Sequence, residues 1–323
     1  MGAAAAGTYT TRGTPTATNI REDLADVIYR IDPDEVPVVS AMDRVGADQV
    51  LTEWLVQELN AAGKNAQAEG FEATYAAATP PARLSNICQI LSRTVSVANS
   101  FRASNTVGGE DEFDRQRLLR GMEVKRDLEW TILNPQVAKT TDPREMASLE
   151  AYISNGSAGS GTGAMPVGTG ASVHVVGTLR ALTMTLVASA MEQAYMDGGQ
   201  PSLGVMSPTL KRAFSALAAG GSAGAAQNIL SSTKPEPVTV VGAVDVYRTD
   251  FGPIEMVPDR FCGANTVFLI DPDYVELAPL PGRDMITAEY ATTGDAKKGG
   301  VVFEGTLRVT APKAHAAVFD VIP

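Results

Sequence analysis

Two stretches before residue 135 carry apolar residues at helical spacing, and they differ in what they can bury. In 21–31, Leu24, Val27, Ile28 and Ile31 fall on one stripe, and Pro33 ends the run. Asn19 followed by Glu22 gives this stretch a start that resembles a capping box. A helix this short is marginal by itself, so its stripe must dock on its own domain or on a neighbour. The second stretch, 110–134, has no proline and one glycine, Gly121. Leu118, Met122, Leu128 and Ile132 lie on or near one face, interrupted by Lys125. Glu110, Asp111, Glu112 and Asp114 crowd the end where anions suit the helix dipole. Asp111–Arg115, Glu123–Arg126 and Lys125–Glu129 have the spacing of ion-paired helical neighbours. Gly108-Gly109 and Pro135 bound a rod of roughly 37 Å.

Strand spacing appears between the two helices. Residues 50–59 predict a strand and 87–97 its returning partner, a hairpin whose connection, 60–81, is rich in alanine and nearly without aliphatic bulk. So long a connection without a core of its own is functional or disordered, and it would become ordered by lying on another molecule. A short helix is expected over 142–153 and a flexible Gly/Ser-rich linker over 154–172. Beyond it, helices and strands alternate. The helix at 178–196 carries Leu179, Leu182, Leu186 and Ala190 on one face, and a second helix opens at Ser207-Pro208. Strands are expected at 203–206, 238–248, 254–257, 266–270, 274–278, 301–310 and 317–321. The class is α+β, helices on a mainly antiparallel sheet.

Composition narrows the chemistry. The chain has 323 residues and a formal net charge of −11, with no cluster of Lys and Arg to grip phosphates, so direct nucleic-acid binding is not expected. Acidic walls can still enclose DNA without adhering to it. Cys88 and Cys262 lie far apart and outside metal spacing, as in a chain made in a reducing cytoplasm. No stretch approaches a membrane span, and 1–18 lacks the apolar segment of a signal peptide. His174 and His315 are the only histidines, and neither has a local partner for catalysis. The acidic pairs of Asp32-Pro33-Asp34 and Asp271-Pro272-Asp273 are turn chemistry rather than a calcium loop. The glycines of 154–172 fit neither phosphate-loop register, and no serine sits in a nucleophile elbow. No catalytic, cofactor or metal site is expected.

The order of parts resembles the tailed-phage major capsid proteins with the HK97-like fold, and within them the SU10-like major head proteins. The residues carrying the likeness begin with Arg21-Glu22-Asp23-Leu24, Ile28-Tyr29-Arg30-Ile31-Asp32-Pro33 and Pro37. They continue with Asn65-Ala66-Gln67-Ala68-Glu69-Gly70 and Arg126-Asp127-Leu128-Glu129. Asp250-Phe251-Gly252, Asp271-Pro272-Asp273-Tyr274-Val275, Thr293-Gly294-Asp295-Ala296 and Lys313-Ala314-His315 follow. Val36 stands where the family pattern leads us to expect Thr, and 154–172 is longer and richer in glycine than usual.

The resemblance implies an N-terminal arm (1–48), an extended E-loop hairpin (49–97) and a P-domain (98–153) with its spine helix at 110–134. The linker 154–172, a mainly A-domain region (173–290) and strands returning to the P-domain (291–323) complete it. It further implies a non-enzymatic subunit without cofactor that assembles in a host bacterial cytoplasm. There it would form the hexamers and pentamers of an icosahedral shell around double-stranded DNA, with a portal and scaffold or decoration proteins as partners. Leu24, Ile28, Ile31, Trp54, Phe71 and Tyr75 are the expected intersubunit contacts. The family's covalent crosslink is not carried over, since neither member of its Lys–Asn pair can be placed. An encapsulin-like compartment is the alternative that shares the fold; an enzyme with a pocket in 173–300 is the alternative of another class.

Overall fold

The computed structural model describes residues 35–73, 75, 78–104, 111–218 and 245–323. The chain opens with α1 (Pro37–Ala41), β1 (Asp43–Arg44), β2 (Leu51–Val56), β3 (Ala82–Ile87) and β4 (Gln89–Ala98). Then come α2 (Asn99–Ala103), α3 (Glu112–Leu133), β5 (Asn155–Ser157), β6 (Arg180–Ala181), α4 (Met184–Met196), β7 (Leu203–Met206) and α5 (Pro208–Ala218). The remainder is strand: β8 (Val246–Thr249), β9 (Gly252–Pro258), β10 (Val267–Ile270), β11 (Val275–Pro279) and β12 (Ile286–Tyr290). It closes with β13 (Ala296–Val309), β14 (Ala316–Val318) and β15 (Val321–Ile322).

Helix α3 is bounded by local chemistry. The Asp111 carboxylate caps it by accepting from Phe113 N at 3.0 Å and also pairs with Arg102, while Asn134 turns extended ahead of Pro135. Its buried face keeps Leu128 and Ile132 of the expected stripe but not Leu118. Phe113, Val124, Leu128, Ile132 and Leu133 are buried, whereas Leu118 is 65% exposed. The expected ion pairs also change partners: Arg115 pairs with Glu112, Arg120 with Glu123, and Glu129 lies inside the protein.

One sheet lies against this helix, and a second shares its core. In the first, β13 is central. It pairs antiparallel with β4 from Ala296↔Ala98 to Gly305↔Gln89, and its other side takes β12 and then β11. The second sheet runs β5-β14-β10-β7-β9-β8. Strand β10 is an apolar run buried on both faces. Phe268 and Ile270 join the core that holds Leu128, Ile132, Tyr152 and Phe303, and Val267 and Leu269 join the core of α4 and α5 with Met191 and Phe214. Side-chain alternation along β10 thus places one core on each side of this sheet.

Three expectations are corrected. The partner of β2 is β3, in register Leu51↔Ile87 to Val56↔Ala82, while 89–98 belongs to the first sheet. The break falls at buried Cys88, whose N donates to Val50 O at 2.8 Å. No α-helix forms over 142–153; only 149–152 makes a 3-10 turn, and 146–153 is wholly buried. The Gly/Ser-rich stretch is packed rather than loose. Asn155–Ser157 is a strand parallel to β14, and a Cβ on Gly159, Gly163 or Gly177 would collide with backbone. Smaller shifts occur at α4, which begins at Met184 and buries Val187, Ala190, Met191 and Ala194, and at β12, which was not expected. The start of the 238–248 strand and the arm helix at 21–31 lie outside the described residues.

Candidate assembly site

The groups that could have been catalytic are committed elsewhere. His315 is fully buried, accepts from Asp271 N at Nδ1 (3.1 Å), and burial pushes it down to about 3, so it is neutral. His174 stacks on Phe319 with ring centroids 4.3 Å apart and holds Glu150 at 2.7 Å through Nδ1. Burial lowers its pKa, but the Glu150 hydrogen bond and the charges of Glu150 and Asp320 outweigh this and raise it. Burial raises both thiols, Cys88 to about 11 and Cys262 further. Asp271 accepts from Asp273 N within its own turn and from the distant Gln200 N; Asp32-Pro33-Asp34 lies outside the described residues. Among the described residues no group of His, Cys, Asp and Glu could hold a metal ion.

What the molecule does present is unpartnered surface. Every described residue from 57 to 81 is exposed, including Leu59 at 98% and Tyr75 at 95%. Phe71 is more than half exposed, and the stretch is held by little beyond a Gln57 Nε2 bond to Thr79 O and a turn at Phe71 N–Ala68 O. Trp54 is different: it is buried within its own protomer, 5.8 Å from the Tyr152 ring, and closes the hairpin root onto the core. Beside that root runs a cleft of about 860 Å³ lined by Val56, Leu59, Val167, Met196 and Tyr274, with the Lys313–Glu58 ion pair at its edge. Leu24, Ile28 and Ile31 lie outside the described residues.

Helix α1 is fixed to α3 from inside. Val38 N and Val39 N donate to the two carboxyl oxygens of Glu129, at 2.7 and 2.8 Å, and both valines are buried. Glu129 is itself fully buried. Burial, the largest cause, together with the neighbouring Asp259 raises its pKa to about 8 against the lowering effect of the two N–H donors. Sequence reasoning gave Glu129 a surface partner, Lys125. The available signal was Ile132 and Leu133, three and four residues on, which put Glu129 against an apolar face. Asn86 fastens the hairpin root similarly, donating to Ala147 O and Leu307 O and accepting from Ala147 N and Ile87 N.

The sequence profile of the SU10 major capsid protein family matches residues 6–321, nearly the whole chain. The chain belongs to that family. Its fold is HK97-like, and the family is structural rather than enzymatic. A major capsid protein of Escherichia phage Phieco32 is 31% identical over 113 residues, 35% of this chain; the chain spans about a third (32%) of that relative. Among solved structures, a capsid asymmetric unit of cyanophage A-1(L) superposes with TM-score 0.63 at 13% identity, covering 95% of this chain and 98% of the other. A Microbacterium phage Oxtober96 structure gives 0.62 at 11%, covering 94% and 96%. The SrpI encapsulin of Synechococcus elongatus PCC 7942 shares the fold at 0.55 and 11%, covering 94% and 93%.

Proposed function

We propose that this SU10-family chain is the shell-building subunit of a tailed-phage head, joining copies of itself as hexamers and pentamers around double-stranded DNA. The family match over 6–321 carries the reading. The fold alone serves encapsulins as well as phage capsids, so the family favours the phage shell. The bare hairpin supports it physically: apolar side chains on a segment without a core gain burial from a neighbouring subunit. Many modest contacts then add through multivalency. The net charge of −11 suits a wall that encloses DNA without holding it.

Within this reading the arm runs to residue 48, and the E-loop leaf is β2, the 57–81 tip and β3. The P-domain is organised on α3, and 173–290 is mainly A-domain. The arm and the tip, through Leu24, Ile28, Ile31, Phe71 and Tyr75, meet neighbouring subunits. A portal and a scaffold or decoration protein complete the head; a structure similar at TM-score 0.58 and 12% identity contains phage G major capsid and decoration proteins. Expression of the full chain in bacteria, followed by negative-stain microscopy, should show closed particles of uniform diameter. A chain that stays monomeric even with its portal and scaffold co-expressed overturns the proposal.

A further inference from the structure

Glu129 and Asp259 meet where three parts of the protein join: the arm root at α1, the spine α3 and the turn that follows β9. Both are buried, Glu129 fully and Asp259 to 2% exposure. Asp259 Oδ1 accepts from Phe261 N at 2.7 Å, but its Oδ2 is buried with no donor among the described residues. A buried carboxylate oxygen without a donor is costly, and a proton on the facing Glu129 carboxyl is the donor it lacks. Glu129 can give that proton and still accept from Val38 N and Val39 N, because each oxygen has a second lone pair.

We infer that Glu129 and Asp259 share a single proton, and that this proton clamps the β9 turn onto the arm root and the spine. The other charged groups described around the pair do not replace it. Cys262 lies in reach of Asp259, Glu129 and Glu150, but its thiol is neutral, and Glu150 is engaged by His174. Glu35 and Arg260 line the adjoining cavity, and Lys125 and Arg126 follow the same helix. Among the described residues no cation is one of the groups that set the charge of Glu129.

The geometry also says which side lets go. Once the proton leaves, two anions face each other. Glu129 keeps two N–H donors that favour its charged form, so α1 stays on the spine and Asp259 is repelled with its turn. A cavity of about 500 Å³, bounded by Val36, Pro37, Pro208, Pro258 and Asp259, adjoins the pair and gives the turn room to move. The device is a proton-dependent clamp between the two halves of the subunit, and it works in a free protomer as well as in a shell.

Hydrogen exchange on the purified full-length chain tests it, with protection factors corrected for the intrinsic rate. From about pH 6 to about pH 9, protection at Asp259 and Phe261, whose amides donate to Met206 O and Asp259 Oδ1, should fall about tenfold or more while Val38 and Val39 keep theirs. Glu129→Gln supplies a permanent donor and keeps one of the two acceptors, so it should hold the turn closed across the range while one of the Val38 and Val39 amides loses its partner. Asp259→Asn supplies the donor from the other side and should also abolish the step. Unchanged wild-type protection over this range, or a wild-type-sized step in either folded variant, overturns the clamp.

Discussion

Asn86 makes four hydrogen bonds while 1% exposed, tying the end of the hairpin to the buried 146–153 segment and to β13. Replacing it with Ala strands several buried backbone groups at once. With ~1–3 kcal/mol for each group left unpaired, Asn86→Ala should cost at least about 3 kcal/mol, read as a lowered denaturant midpoint. His174 is a titrating counterpart. Its pKa is raised in the folded protein, so its contribution is fully present below the unfolded value of about 6.5. It is lost as pH rises through the folded value, because the native state then binds more protons than the unfolded one. In His174→Gln the decline of Tm above about pH 6.5 should become shallower. An unchanged slope would show that Glu150 and Asp320 do not hold the imidazolium as the distances imply.

At the scale of elements, α3 supplies the sharpest test. A Cβ built on Gly121 meets nothing within 4 Å, so Gly121→Ala should raise stability by up to ~1 kcal/mol. Gly121→Pro should cost ~3 kcal/mol or more and kink the rod, and microscopy should then show aggregates or open sheets in place of closed particles. Closed particles of normal diameter from Gly121→Pro would remove α3 from the role of organiser. The ends of this helix were legible because their signals are local: Asp111, Pro135 and acidic first-turn residues. The partner of 89–98 was not legible, because the ladder that claims it lies at 296–305, and strand pairing depends on which sheet is available. Glu129 was misplaced for the same kind of reason. Its partners, Val38, Val39 and Asp259, come from distant parts of the chain. The bare tip was legible from composition alone, since little in 60–81 could bury anything.

For the whole molecule, the proposed shell makes arm and hairpin depend on neighbours. Ile28→Asp should leave a folded, soluble protomer that no longer forms particles, checked by circular dichroism and size-exclusion chromatography. Particles of normal size from this variant would show that the arm stripe is not an interface. Hairpin amides between 57 and 81 should exchange freely in protomers and become protected in shells; equal protection in both states would count against contact across subunits. The packed glycines of the 154–178 excursion bear on a different matter, the choice of where foreign peptide can be grafted. Composition recommends that stretch as the most forgiving place. Its backbone strands touch so closely at Gly159, Gly163 and Gly177 that no side chain fits, and Asp320 Oδ2 binds Gly159 N and Gly177 N together. An epitope spliced in after Gly163 should therefore give insoluble protein, whereas one spliced in at Gly70, where a Cβ meets nothing within 4 Å, should leave the protomer soluble. For display on such particles, the stretch richest in glycine is the one to leave alone.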